Sequence, residues 1–143
     1  MAFGSVIALL VVLVLSALAA LHVYWGLGGP WGLGGVTPEV AGKPALHTGP
    51  GACAAVAALL SCAAAIVGAR GGLFATPLPP WFLSLSCWAV AAAFALRTIG
   101  DFRLFGLFRR VDSTAFARND ARLFTPLCLL LAVACARVAL LDI

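Results

Sequence analysis

His22, Arg97, Asp101 and Asp120 are the side chains in this 143-residue chain whose types and spacing could carry acid–base chemistry. A histidine exchanges a proton near neutral pH, a carboxylate can orient it, and an arginine can hold an anionic group. We therefore read His22, Asp101 and Asp120 as the candidate catalytic residues, with Trp25, Trp31, Arg97 and Arg118 as candidate ligand contacts. Each has a structural alternative. Arg97 and Asp101 stand four residues apart and can share a helix face as an ion pair closing a bundle. Arg before Asp is the less favourable order, however, and a carboxylate near a helix C-terminus opposes the macrodipole, so helix stability is a poor reason for the pair. For Asp120 the alternative is capping of a helix N-terminus. For His22 it is a bond to loop carbonyls at an interface.

The elements that must position these groups follow from composition. Hydrophobic residues make up 64% of the chain and charged residues 10%, and the mean hydropathy is +1.11, too apolar to cover a water-facing surface. The expected fold is all-α: an integral membrane four-helix bundle with antiparallel, up-and-down topology in one domain over residues 1–143. Its spans are expected at about residues 3–25, 51–69, 81–105 and 123–141, joined by a Gly-rich loop at 26–50 and a basic loop at 106–122. Ala17-Leu18-Ala19 resembles a signal-peptide cleavage site, but the start Met-Ala-Phe-Gly-Ser lacks the usual basic residue. Pro77, Pro79 and Pro80 exclude a helix interior and place the third start near Trp81. Thr125-Pro126 forms either a fresh helix start or a kink in a helix begun near Ser113.

On a helix rising 1.5 Å per residue, His22 lies roughly 28 Å from the start of its span, near the boundary of a ~30 Å hydrocarbon core. Arg97, about 24 Å beyond Trp81, falls just inside the same boundary. Four alternating spans put Glu39, Lys43, Arg97, Asp101, Arg103, Arg109, Arg110, Asp112, Arg118, Asp120 and Arg122 on one face. Only Arg70, Arg137 and Asp142 fall opposite. Because positive loops stay in the cytoplasm, the rich face is expected there and both termini outside, with a cytoplasmic (inner) membrane as the location. The net charge of +4 then reflects orientation and contacts with anionic lipid, with no role for nucleic acid. Arg109-Arg110 with Phe102, Phe105 and Phe108 reads as an interfacial belt.

Other motifs carry less. The repeat Trp25-Gly26-Leu27-Gly28-Gly29 and Trp31-Gly32-Leu33-Gly34-Gly35 has no Gly-Lys-Ser/Thr after it, so a loop with aromatic anchors is expected, without phosphate binding. The five cysteines lie in apolar runs without a Cys-x-x-Cys pair and read as small core residues. A bis-histidine haem would need His22 to meet His47, for which a turn contact is the plainer role. No metal or other cofactor is expected.

Three blocks together carry a resemblance: His22-Val23-Tyr24-Trp25 through Gly28-Gly29 and Trp31, then Arg97-Thr98-Ile99-Gly100-Asp101-Phe102-Arg103, then Phe116-Ala117-Arg118-Asn119-Asp120 with Thr125-Pro126-Leu127. Across nearly its whole length the chain resembles an uncharacterised family of small bacterial four-span membrane proteins, a domain of unknown function. The resemblance implies a four-helix membrane fold and no activity.

Two functional classes are consistent with these residues. The first is a membrane protein that binds or transforms a lipophilic small molecule by isomerase- or cyclase-type acid–base chemistry at a polar pocket on one membrane face. The second is a non-enzymatic accessory or scaffold subunit that pairs with a membrane partner or with its own copies through Ala/Gly-rich helix faces. An ion pathway ranks last, because the middles of the spans are nearly apolar.

Overall fold

Four apolar stretches form the helices, the second and third of them opened by proline. A computed structural model describes residues 3–32, 39–40, 43–44, 49–100, 107–108 and 115–141. Helix α1 is Phe3–Gly26, α2 Pro50–Arg70 and α3 Pro80–Ile99. The last span consists of α4 Ala115–Asn119, a π-helical turn Asp120–Phe124 and α5 Thr125–Ala139. The fold is all-α, with a two-residue antiparallel ladder in the first loop, β1 Glu39–Val40 with β2 Lys43–Pro44. Pro50 and Pro80 each open a helix, where the missing N–H costs nothing and the fixed φ is already helical.

Two boundaries differ from expectation. Helix α3 stops at Ile99 instead of running to 105, because Gly100 takes φ +86° while its N–H donates to the Leu96 carbonyl at 2.9 Å. Further on, Leu107 N–H returns to the Thr98 carbonyl at 2.9 Å, satisfying another terminal acceptor. The last span begins well before residue 123. Part of the expected basic loop, from Ala115 onward, is helical and continuous with the span.

The core is built from small side chains. Ala8, Val11 and Leu15 of α1, Ala63, Ala64 and Val67 of α2, Cys87 and Ala91 of α3, and Leu131, Cys135, Val138 and Ala139 of α5 form one buried cluster. Their spacing of three and four residues draws one stripe down each helix. The bulky residues point outward: Leu10, Leu59, Leu85 and Leu130 are all more than half exposed. Helices that are apolar all round suit hydrocarbon, where packing depends on close approach of small residues and burial of leucine gains little. All four are long and apolar enough to cross a membrane.

Helix α1 packs chiefly on α2, and α3 on α5. The close approach is tightest at Gly71, the C-cap of α2, where an added Cβ would stand 2.1 Å from the Ala8 Cβ. A Gly71→Ala substitution must push the helices apart and is expected to destabilise by about 1–3 kcal/mol in detergent unfolding titrations. Gly51→Ala, with nothing within 4 Å of the new methyl, is expected to be neutral or slightly stabilising. Equal effects from the two would contradict this packing.

The ends of the helices meet in two groups. At one, Arg70 leaves the end of α2 buried and donates through Nη2 to the Ala139 carbonyl at 3.3 Å and to the Leu141 carbonyl. Ser84 Oγ, near the start of α3, donates to the same Ala139 oxygen at 2.8 Å. The final carbonyls of α5 are thus capped by a cation, which the helix dipole favours. At the other group lie the end of α1, the start of α2, the end of α3 and the π turn.

Candidate functional site

The last turns of α1 carry His22 and Trp25 on one face, three residues apart. His22 Nδ1 lies 2.8 Å from the Leu18 carbonyl, four residues back on its own helix. A carbonyl only accepts, so Nδ1 bears the proton, and in the neutral ring Nε2 keeps its lone pair. The Trp25 ring packs edge-on against the imidazole, with centroids 5.1 Å apart and planes at 71°. Trp25 is held in turn by its indole N–H, which donates to the Trp31 carbonyl at 2.9 Å.

Arg97 occupies the last turn of α3, where a cation complements the helix dipole. Its Nη2 meets Asp120 Oδ1 at 2.6 Å, and the other carboxylate oxygen accepts from Thr125 Oγ1 at 3.0 Å. Asp120 is fully buried and Arg97 partly so. A carboxylate so placed is maintained only by such charge-assisted bonds.

The π turn makes this arrangement possible. Pro126 has no N–H, and its ring would crowd the carbonyl four residues back in a regular helix. The chain widens instead, and Thr125 N–H reaches the Asp120 carbonyl five residues back. On an α-helix, residues five apart diverge; on the widened turn, the Thr125 hydroxyl and the Asp120 carboxylate meet. The Thr125-Pro126 pair is therefore an adjustment inside a longer helix, not a fresh start. Nor does Asp120 cap an N-terminus, since residues on both sides of it are helical.

Between these elements lies a cavity of about 250 Å³. Among the described residues, His22 and Arg97 supply its polar groups. Trp25, Phe116 and Phe124 give aromatic walls, and Leu18, Leu127 and Leu131 aliphatic ones, with Cys53 and Cys128 also on the lining.

The expected site residues divide accordingly. His22, Trp25 and Arg97 come together at the cavity, and Asp120 stands directly behind Arg97. Trp31 does not join them: its side chain is exposed, and its contribution is the backbone carbonyl that anchors Trp25. Arg118 is exposed and not part of the lining. Asp101 and His47 lie outside the described residues, so the expected Arg97–Asp101 pair does too, and Arg97 is bonded to Asp120. Sequence reasoning missed Thr125 as a partner of Asp120, and the wall residues Phe116, Phe124, Cys53 and Cys128. The proline one place after Thr125 was the available signal for the first. Among the described residues no group of three His, Cys, Asp or Glu side chains could hold a metal ion.

A family model described as protein of unknown function, DUF3995, matches residues 15–135. The chain belongs to this family. In this DUF3995 chain the matched stretch contains the polar groups described at the cavity, from His22 through Arg97 and Asp120 to Thr125. No curated protein and no solved structure matches it. What the DUF3995 site can do is thus a question for its chemistry: an imidazole that donates through Nδ1, a guanidinium bonded to a buried carboxylate, and walls that are largely apolar.

Proposed function

We propose that this chain is an integral membrane protein of up-and-down four-helix topology that binds a lipophilic small molecule in the cavity beside His22 and Arg97. The observation that carries the reading is the convergence of a polar His22–Arg97–Asp120 group on a cavity whose other walls are apolar. A polar group inside a membrane segment is costly and marks function more often than it does in a soluble core. Pockets with apolar walls and a few oriented polar groups are the usual form of small-molecule sites.

Within this reading, His22 Nε2 takes or returns a proton, Arg97 holds an oxygen of the bound molecule, and Asp120 fixes the guanidinium. Isomerisation or cyclisation is the reaction class such a set serves, since both need only acid–base groups and an enclosed site. Charge placement supports an orientation with the His22–Arg97 end and the basic loops on the cytoplasmic side and both termini outside.

The test is compositional. Purified wild-type protein in mild detergent is expected to carry a lipophilic compound detectable by mass spectrometry of an organic extract. His22→Ala and the cavity-filling Leu131→Phe are expected to lose it while remaining folded by circular dichroism. The same extract from all three proteins would overturn the reading.

A further inference from the structure

We infer that the bundle opens as two stiff helix pairs, α1 with α2 and α3 with α5, which part along the α1–α5 seam at the cavity end while staying clamped at the Arg70 end. The cavity is then entered sideways, from the bilayer. The use made of the opening rests on the binding reading above; the motion does not. Each pair is tight at both of its ends. In the first, an added Cβ would stand 2.1 Å from the Ala8 Cβ at Gly71 and 3.2 Å from the Cys53 Cβ at Gly26, so α1 and α2 approach closely at either end. In the second, Ser84 Oγ bonds the Ala139 carbonyl at one end, and Arg97 bonds Asp120 of the π turn at the other.

Contact between the pairs is uneven. Helix α1 meets α5, and α2 meets α3, far less extensively than the partners within a pair meet. Space remains on both seams. The cavity of about 250 Å³ is lined by Leu18 and His22 from α1 and by Leu127 and Cys128 from α5, and a groove of about 440 Å³ lies between α2 and α3. At the other end the pairs are joined. Arg70 reaches from α2 to the carbonyls of Ala139 and Leu141. The buried cluster shared by all four helices lies toward that end, with Ala8 early in α1, Val67 late in α2, Cys87 early in α3 and Val138 late in α5. The chain crosses there too: residues 71–79 join α2 to α3, whereas the loops at the cavity end each connect helices of a single pair.

Lipid tails solvate an apolar helix face as well as a neighbouring helix does, so packing alone holds such a seam shut in hydrocarbon. Packing is thin on the α1–α5 seam. Parting at the opposite end would strip a buried cation of its acceptors and open a close-packed core. Rotation of two stiff units about one joined end is an ordinary form of hinge opening.

The full chain is placed in lipid nanodiscs with a nitroxide-bearing noncanonical residue at pairs of exposed positions, which leaves all five cysteines in place, and distances are read by double electron–electron resonance. Val23 with Leu123 reports on α1 against the last span at the cavity end, Val6 with Leu140 on the same seam at the clamped end, and Leu96 with Leu123 on the second pair alone. Val23–Leu123 is expected to show a short and a long distance, and each of the other pairs a single narrow one. One narrow distance for Val23–Leu123 would overturn the opening. A second distance for Val6–Leu140 would overturn the clamp, and one for Leu96–Leu123 the stiffness of the pair. The binding reading stands or falls separately, on whether the organic extract of the same protein carries a lipophilic compound.

Discussion

Replacing Arg97 with leucine is expected to lower the unfolding free energy by about 3–5 kcal/mol, the cost typical of stranding one member of a buried ion pair. The cost arises at Asp120. Its carboxylate has no solvent exposure, and it loses the partner at 2.6 Å that offsets its desolvation. The reverse change should be milder. Arg97 keeps 30% of its side chain exposed, so in Asp120→Asn its head can turn toward water and the amide can still accept from Thr125, a loss of about 1–3 kcal/mol. The double variant Arg97→Leu with Asp120→Leu should recover much of the single loss, because removing both charges removes the desolvation cost as well. Chemical unfolding in detergent micelles measures all three. Additive losses would show that the two groups do not act as a pair.

A second large effect is expected at the other end of the bundle, far from the cavity. Arg70→Met keeps the aliphatic stem but deletes the charge-assisted bonds from Nη2 to the carbonyls of Ala139 and Leu141. Bonds from charged donors contribute about 1.5–3 kcal/mol each, and the cation also complements the C-terminal dipole of α5, so a loss of about 2–4 kcal/mol is expected. Arg70→Lys should fall between, since an ammonium donates without the guanidinium fork. Amide exchange near Val138 to Leu141 should accelerate in the Met variant, while exchange around His22 stays as in wild type. A neutral Arg70→Met substitution would mean that Ser84 and the packing alone hold the end of α5.

These two positions mark what the sequence disclosed and what it concealed. The helices were legible because each apolar run is long and bounded by residues with a fixed structural meaning: Pro50 and Pro80 at starts, Arg70-Gly71-Gly72 at an end. Gly100 could have been read the same way, but the apolar residues beyond it argued for a longer span, and conformation at φ +86° is not visible in hydropathy. His22, Trp25 and Arg97 could be placed at one depth by counting residues along helices, because rise per residue is nearly constant. Azimuth is another matter. Local spacing is all that a sequence offers, so it presents Asp120 as a candidate catalytic residue or a helix cap, and Asp101 as the neighbour of Arg97. The Arg97–Asp120 bond joins two helices 23 residues apart in the chain, and it depends on a π turn that moves Thr125 round to the same carboxylate. Trp31 illustrates the converse: the repeated Trp-Gly-Leu-Gly-Gly suggested two equivalent aromatic contacts, yet only Trp25 reaches the cavity, and Trp31 serves it through backbone.

The central claim is that the space between His22 and Arg97 is a ligand site and not a packing defect. A density map of the wild-type protein in lipid, at a resolution that shows side chains, tests it most directly. The predicted result is non-protein density bounded by His22, Trp25 and Phe124, with Arg97 still bonded to Asp120. Collapse of Phe116 and Phe124 into that space, with no room left beside His22, would contradict it.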